Sequence, residues 1–276
     1  MTVLRKLLRQ PIGVAALVMV GLVVLTVLVS LVWTPHDPLA IDVSNRWAPW
    51  SATHPLGTDA LGRDTASRIM LGSQVTVTTA VLAVALATAL GVPLGALLVF
   101  LPPGLSSALQ RLVDLMVAFP TLVLAVIIAT FAEGSMWGVV LAIGLGSVST
   151  IIRTILPELR RSRSTDHVML ARTSGAGPLW LTWKHILPEV TATLLVRTTQ
   201  LLGVAALAEA GLSYLGLGTP PPSPSWGRML AEHQQQIYTR PEVLAAPALV
   251  IVWTTLGFNL LGDALRDALD TRSEVG

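Results

Sequence analysis

Apolar residues in this chain gather into long runs, and the polar residues gather between them. Pro11 to Thr34 holds no charged residue. Gln74 to Gln110 is a second uncharged run, centred on TAVLAVALATALGVPLGALLVFL. A third run follows Asp114 through LMVAFPTLVLAVIIATF, and a fourth extends from Gly134 to Ile152. The fifth covers about Thr193 to Leu217 and contains Glu209; the sixth covers about Val243 to Leu261. A helix needs about 20 apolar residues to cross the hydrocarbon core. The pattern therefore predicts an all-α integral membrane protein with six transmembrane helices. Pro93, Pro120 and Pro247 fall in or near these spans, which membrane helices tolerate when neighbours satisfy the freed carbonyls. The first run is too long for a signal-peptide core and lacks an Ala-x-Ala-like cleavage site, so it is expected to stay as the first span.

Composition agrees: of 276 residues, 53% are hydrophobic and 12% charged, against roughly 25% charged in a soluble domain. The chain contains no cysteine, which excludes disulfides and thiolate metal sites. The net charge of +2 says little, but the placement of Lys and Arg says more. With the N-terminus inside, thirteen lie in cytoplasmic segments and five, Arg46, Arg63, Arg68, Arg228 and Arg240, lie outside. That asymmetry favours both termini in the cytoplasm.

Catalytic motifs are missing. There is no phosphate-binding G-x-x-x-x-G-K-[ST], no H-E-x-x-H and no G-x-S-x-G. The five histidines, His36, His54, His167, His185 and His233, are scattered outside the spans. Transport or signalling is the better class.

Four stretches bear a resemblance. HPLGTDALGRDTASRIMLGSQVTV (His54–Val77), VDLMVAFPTLVLAV (Val113–Val126), AEAGLSYLGLGTPPPSPSWGRML (Ala208–Leu230) and GFNLLGDALRDALD (Gly257–Asp270) run in order along nearly the whole chain. Together they resemble the C-type permease subunit of dipeptide and oligopeptide ABC importers, in the peptide/nickel family. The resemblance implies a type I importer permease (MetI-like) fold. Residues 1–70 would form the N-terminal tail, first span and extracytoplasmic loop. Residues 71–276 would form the core permease domain, with a cytoplasmic coupling loop at about 157–192. It also implies a homologous B-type permease, two ATP-binding subunits and an extracytoplasmic solute-binding protein as partners, in a bacterial inner membrane. Nucleic acid is not an expected partner. ATP and Mg would sit on the ATP-binding subunits, with no cofactor or metal in this chain. The cargo would be di- or oligopeptides; nickel or haem is the alternative within the family, and a stand-alone secondary transporter the distant one.

The coupling loop of that family carries E-A-A-x-x-x-G followed by I-x-L-P. Here the register places Met169, Leu170, Ala171, Arg172 and Gly175 in the first part, and Ile186, Leu187 and Pro188 in the second, after His185. Met169 replaces the usual glutamate. An exposed ion pair contributes only about 0–1 kcal/mol, so docking on an ATPase need not depend on it. The residues themselves predict two short helices. Ser164 or Thr165 suits the first N-cap, Gly175 the left-handed stop, and Pro178 the next first turn. Val168, Leu170 and Ala171 give an apolar side to the first helix. Leu179, Trp183 and Ile186 form a stripe on the second, which could lie on lipid or fill a partner's groove. The resemblance favours the groove.

Glu209 is a pathway or gating candidate, or else a packing residue of the bundle interior. Pro120 and Tyr214 are the other gating candidates. Asp114 and Asp263 read as helix-end or interface charges. The long outer loop from His36 to Gln74 is either a contact surface for the binding protein, with Gly57, Asp59, Arg63, Asp64 and Trp226 as candidates, or a packed cap. Trp33, Trp47 and Trp50 suit the outer interface.

Overall fold

A computed structural model of the chain describes residues 3–118, 121–131 and 134–269, and its regular elements are helical apart from a single bridge between Thr58 and Asp64. A short α1 (Val3–Leu7) leads into α2 (Pro11–Ser30), with Pro11 in the first turn. α3 (Thr65–Phe100) follows the long loop. Within the described residues, the predicted third span is covered by α4 (Pro103–Ala118) and α5 (Thr121–Phe131). α6 (Met136–Arg163), α7 (Asp166–Thr173), α8 (Pro178–Leu181), a π turn (Thr182–Ile186), α9 (Leu187–Tyr214), α10 (Trp226–His233) and α11 (Glu242–Leu269) complete the order. Among the described residues, five helical runs are long and apolar enough to cross a membrane; α4 and α5 occupy the place of the sixth.

Several span boundaries differ from the hydrophobic pattern; α9 starts at Leu187 and α11 runs on to Leu269. α3 starts at Thr65, nine residues before the uncharged run that begins at Gln74. Asp64 caps it by accepting from the Ser67 amide at 2.8 Å. The early start carries Arg68 into the helix, where it is fully buried and paired with Asp59 and Glu232. α6 runs past Ile152, through Pro157, to Arg163. Its cationic last turn (Arg160, Arg161, Arg163) complements the helix dipole, and Leu156 and Leu159 just before it are buried. Asp114 lies inside α4 on an exposed position, not at the head of a span.

α3 and α6 form the centre of the bundle. A Cβ on Gly144 would stand 2.7 Å from the Leu86 side chain and 3.1 Å from the Ala83 carbonyl. Small residues thus let the two backbones close, the usual device where lipid offers no hydrophobic drive between helices. α2 and α11 pack outside them, tied by the Trp253 indole donating to the Met19 carbonyl at 3.1 Å.

The two ends of the bundle are chemically distinct. Leu7 is buried against Ala264 and Ala268 of α11, and Gln200 donates to Asp263 at 2.9 Å. Thr193 donates to Glu158 at 2.6 Å. The chain's start, the ends of α6 and α11, and the α7–α8 hairpin therefore share one end. The loop of residues 31–64 and α10 occupy the other. All five arginines expected outside lie there in cap contacts. Arg63 and Arg228 pair with Glu232, Arg240 lies over the Trp47 ring, and Arg46 donates to the Ala60 carbonyl.

Candidate functional site

The basic hairpin between α6 and α9 is built on three buried anchors. Val168 from α7 and Leu181 and Ile186 from the following turns sit in the same apolar cluster as α3 and α6. Each such side chain contributes roughly 1.5–3 kcal/mol on burial. Polar contacts close the hairpin: His167 meets Glu189 at 3.0 Å, and the rings of His167 and His185 stand 5.7 Å apart. Trp180 meets the edge of His185 at 5.0 Å.

Gly175 makes the turn. Its φ is +89°, its amide donates to Arg172, and the Ala176 amide donates to Ala171, both at 3.1 Å. This is the Schellman arrangement that satisfies the last carbonyls of a helix. Pro178 opens α8 in its first turn, as the sequence predicts. The expected hydroxyl cap of α7 is not formed: Thr165 occupies the N-cap position, but its hydroxyl donates to the Ser162 carbonyl.

The two apolar stripes are arranged differently from the expectation. Leu170 is 68% exposed; Val168 and Ala171 turn inward. On the second segment Ile186 is buried, whereas Leu179 and Trp183 are 78% and 73% exposed. The π turn is the reason. It adds a residue to the helical repeat, so Leu181 and Ile186, five apart, share the inner face, and Leu179 and Trp183 turn away from it. Helix residues normally align at three and four. With Met169 and Trp180, these side chains make an exposed apolar group at the basic end of the bundle. Arg172, Gly175 and Pro188 are exposed beside it, and His185 and Leu187 are half-buried. The second helix and the fifth span are one continuous helical run, Pro178–Tyr214. A push on the exposed group therefore acts directly on a span.

Glu209 is buried on α9. Its Oε1 accepts from the Ser213 hydroxyl at 2.6 Å, and the Thr76 and Ser225 hydroxyls lie alongside. Next to Ser225, the Trp226 indole donates to the Ile69 carbonyl at 3.0 Å, and a Cβ on Gly227 would fall 1.9 Å from the Ala210 carbonyl. Glu209 thus marks the joint where α10 seats on α3 and α9, which is the packing reading. Tyr214 is exposed at the end of α9 and donates to Gln234 at 2.8 Å. Pro120 lies outside the described residues.

The outer contact candidates are interior residues of a cap. Gly57, Asp59, Asp64 and Trp226 are all buried, and only the rim of Arg63 reaches solvent. Asp59 accepts from the Leu61 and Arg63 amides and pairs with the Arg63 and Arg68 guanidinium groups at 2.6 and 3.2 Å. Arg68 reaches on to Glu232 of α10 at 2.7 Å. His233, next to it, is buried; desolvation holds its imidazole below the usual histidine range. The turn-rich sequence suggests surface, but Asp59 faces inward on these arginines and Asp64 on Ser67 and His54. Trp33 and Trp50 are exposed at this end, as interface residues would be.

One feature is not evident from the order of residues. A polar cavity of about 470 Å³ opens between α6, α9 and α11, lined by Glu158, Thr193, Arg197, Gln200 and Arg266 among others. Arg197 and Arg266 counted only as topology charges. Their convergence needs the helix packing to be seen.

The family model for a binding-protein-dependent transport system inner membrane component matches residues 87–275. The chain is 33% identical over 273 residues to the glutathione transport system permease protein GsiD of Pectobacterium atrosepticum, covering 97% of this chain and 89% of that one. It is 34% identical over 255 residues to the nickel transport system permease protein NikC of Escherichia coli, covering 92% of each. It is 34% identical over 264 residues to the probable D,D-dipeptide transport system permease protein DdpC of Escherichia coli, covering 96% and 89%. Among solved structures, an inward-facing MetNI methionine ABC transporter matches in fold with a TM-score of 0.61 and 19% identity. That match covers 73% of this chain and 96% of the other.

Proposed function

This chain belongs to the family of binding-protein-dependent transport system inner membrane components, and on that premise we propose that it is the permease subunit through which an ABC importer carries di- or oligopeptides into the cytoplasm. It pairs with a homologous second permease. Two ATP-binding subunits, which carry the ATP and Mg, dock on the basic end. A solute-binding protein delivers cargo at the other end, and both termini are cytoplasmic. The observation that carries this reading is the α7–α8 hairpin. It offers an exposed apolar group, is anchored by Val168 and Leu181, and continues without a break into the fifth span. A helix laid in a partner's groove uses side chains of this kind. The chain has no phosphate-binding loop, so the driving hydrolysis belongs to the docked subunits. Nickel is the second reading for the cargo, because the nickel permease matches to the same degree as the dipeptide permease.

The test is reconstitution. Expressed with its partner permease and ATP-binding subunits, the chain is expected to co-purify with them. Liposomes holding the complex are expected to take up labelled dipeptide only with ATP inside and binding protein outside. Uptake by the chain alone, without ATP, would overturn the reading.

A further inference from the structure

The loop after the first span brings together two histidines and a carboxylate. His36 lies shortly beyond α2, His54 is in the middle of the loop, and Asp64 caps α3. One ligand atom from each lies within 4.8 Å of the others. His54 Nδ1 is 2.9 Å and His36 Nδ1 is 3.8 Å from Asp64 Oδ1. Donors bound to one tetrahedral ion at about 2.0–2.2 Å stand roughly 3.5 Å apart, so the three groups are near that spacing already.

Their supports hold this aim. Asp64 Oδ2 accepts from the Ser67 amide and hydroxyl at 2.8 and 2.7 Å, which leaves Oδ1 facing the histidines. The same Ser67 hydroxyl accepts from the His36 amide at 2.9 Å, and Thr34 donates to the His36 carbonyl at 2.8 Å. The His54 amide donates to Ser51 Oγ at 3.0 Å, and its carbonyl accepts from the Ser51 and Gly57 amides. One buried serine thus positions two of the three groups. Outer hydrogen bonds of this sort orient the ligands of metal centres. The Asp64 side chain is 1% exposed and the His36 side chain 43% exposed, so the cluster has a fixed floor and an open mouth. Two imidazoles with one carboxylate suit a zinc-class ion; calcium and magnesium prefer oxygen donors throughout.

We propose that His36, His54 and Asp64 bind a divalent transition-metal ion of the zinc class, which staples the segment leaving the first span to the head of the second. The site lies in the cap, and the proposal does not depend on which cargo the permease carries.

The test uses the purified complex, stripped with a chelator and titrated with Zn²⁺ alone by calorimetry, with bound metal counted by mass spectrometry. The expected result is a saturable site whose affinity falls at least tenfold in His36→Ala and in His54→Gln. His167→Ala, which alters the histidine pair at the far end, leaves it unchanged. Zn²⁺ is also expected to raise the thermal midpoint of the wild type and not that of His36→Ala, which guards against a variant that is merely less stable. No binding by the wild type, or equal binding by the His36 and His54 variants, would overturn the proposal. In that case the pair is an ion-free hydrogen bond between His54 and Asp64.

Discussion

Gly175→Val is expected to cut ATP-driven uptake at least tenfold while the chain still inserts. Nothing lies within 4 Å of a Cβ at this position, so the side chain meets no steric obstacle. The penalty is in the backbone. At φ +89° a residue with a Cβ pays about 1–2 kcal/mol, and a branched one is a genuine outlier. Relief requires rotating out of the turn. That breaks the Gly175–Arg172 and Ala176–Ala171 hydrogen bonds and re-aims Leu179 and Trp183. Each 1.4 kcal/mol is a factor of ten in the population of the docking geometry. Insertion is spared because Val168, Leu181 and Ile186 keep their burial. Gly175→Asn, which tolerates the left-handed region, is expected to retain most uptake. Met169→Glu is expected to stay within about twofold of the wild type, because Met169 is more than half exposed and a glutamate there lies three residues from Arg172. Uptake and ATP hydrolysis measured on the same liposomes check all three variants. Unchanged uptake in Gly175→Val would remove the hairpin from the mechanism.

Asp59→Ala is expected to destabilise the outer cap and, with it, the seating of α10. Asp59 is 1% exposed and stands against two arginines, one of them wholly buried. Removing one partner of a buried pair costs about 3–5 kcal/mol, because the charge left behind has lost its compensation. Glu232 still touches Arg68 at 2.7 Å and offsets part of that. The loss extends beyond charge, since the Leu61 and Arg63 amides also lose their acceptor. The thermal midpoint of the detergent-solubilised complex is expected to fall on the order of 5–10 °C. Asp37→Ala, on an exposed loop residue, is expected to leave it unchanged. A fall no larger for Asp59→Ala than for Asp37→Ala would mean that the arginine network does not hold the cap.

The sequence displayed α2 and α11 plainly, because an uncharged apolar run of about 20 residues is long enough to cross the hydrocarbon core and too apolar to be left in water. It hid the start of α3, because Arg68 reads as a charge to be kept out of a span. The partner that makes its burial possible, Glu232, is 164 residues away. In the outer loop the packed-cap reading fits the structure, yet turn residues alone do not mark Asp59 and Asp64 as buried; Asp59 turns inward on Arg63 and Arg68, and Asp64 on Ser67 and His54. In the α7–α8 hairpin the glycine turn and the proline start were legible, since both are local. The facing of Leu179 and Ile186 was not, because a π turn leaves no mark in the periodicity that predicts a stripe. Glu209 was visible as a charge inside a span; its role at the α10 joint depends on Ser213 and Trp226 being placed around it.

In the proposed complex the α7–α8 hairpin is where the ATP-binding subunits engage. The chain contains no cysteine, so single cysteines report cleanly. Leu179→Cys, at a position 78% exposed on the hairpin, is to be treated in membranes holding the complete complex with a short cross-linker that is thiol-reactive at one end and photo-activated at the other. Ile41→Cys, 61% exposed in the outer loop, serves as the control. The expected result is a cross-link from Leu179→Cys to an ATP-binding subunit and none from Ile41→Cys. A Leu179→Cys that joins no ATP-binding subunit, and is labelled from outside intact cells by an impermeant thiol reagent, would contradict it.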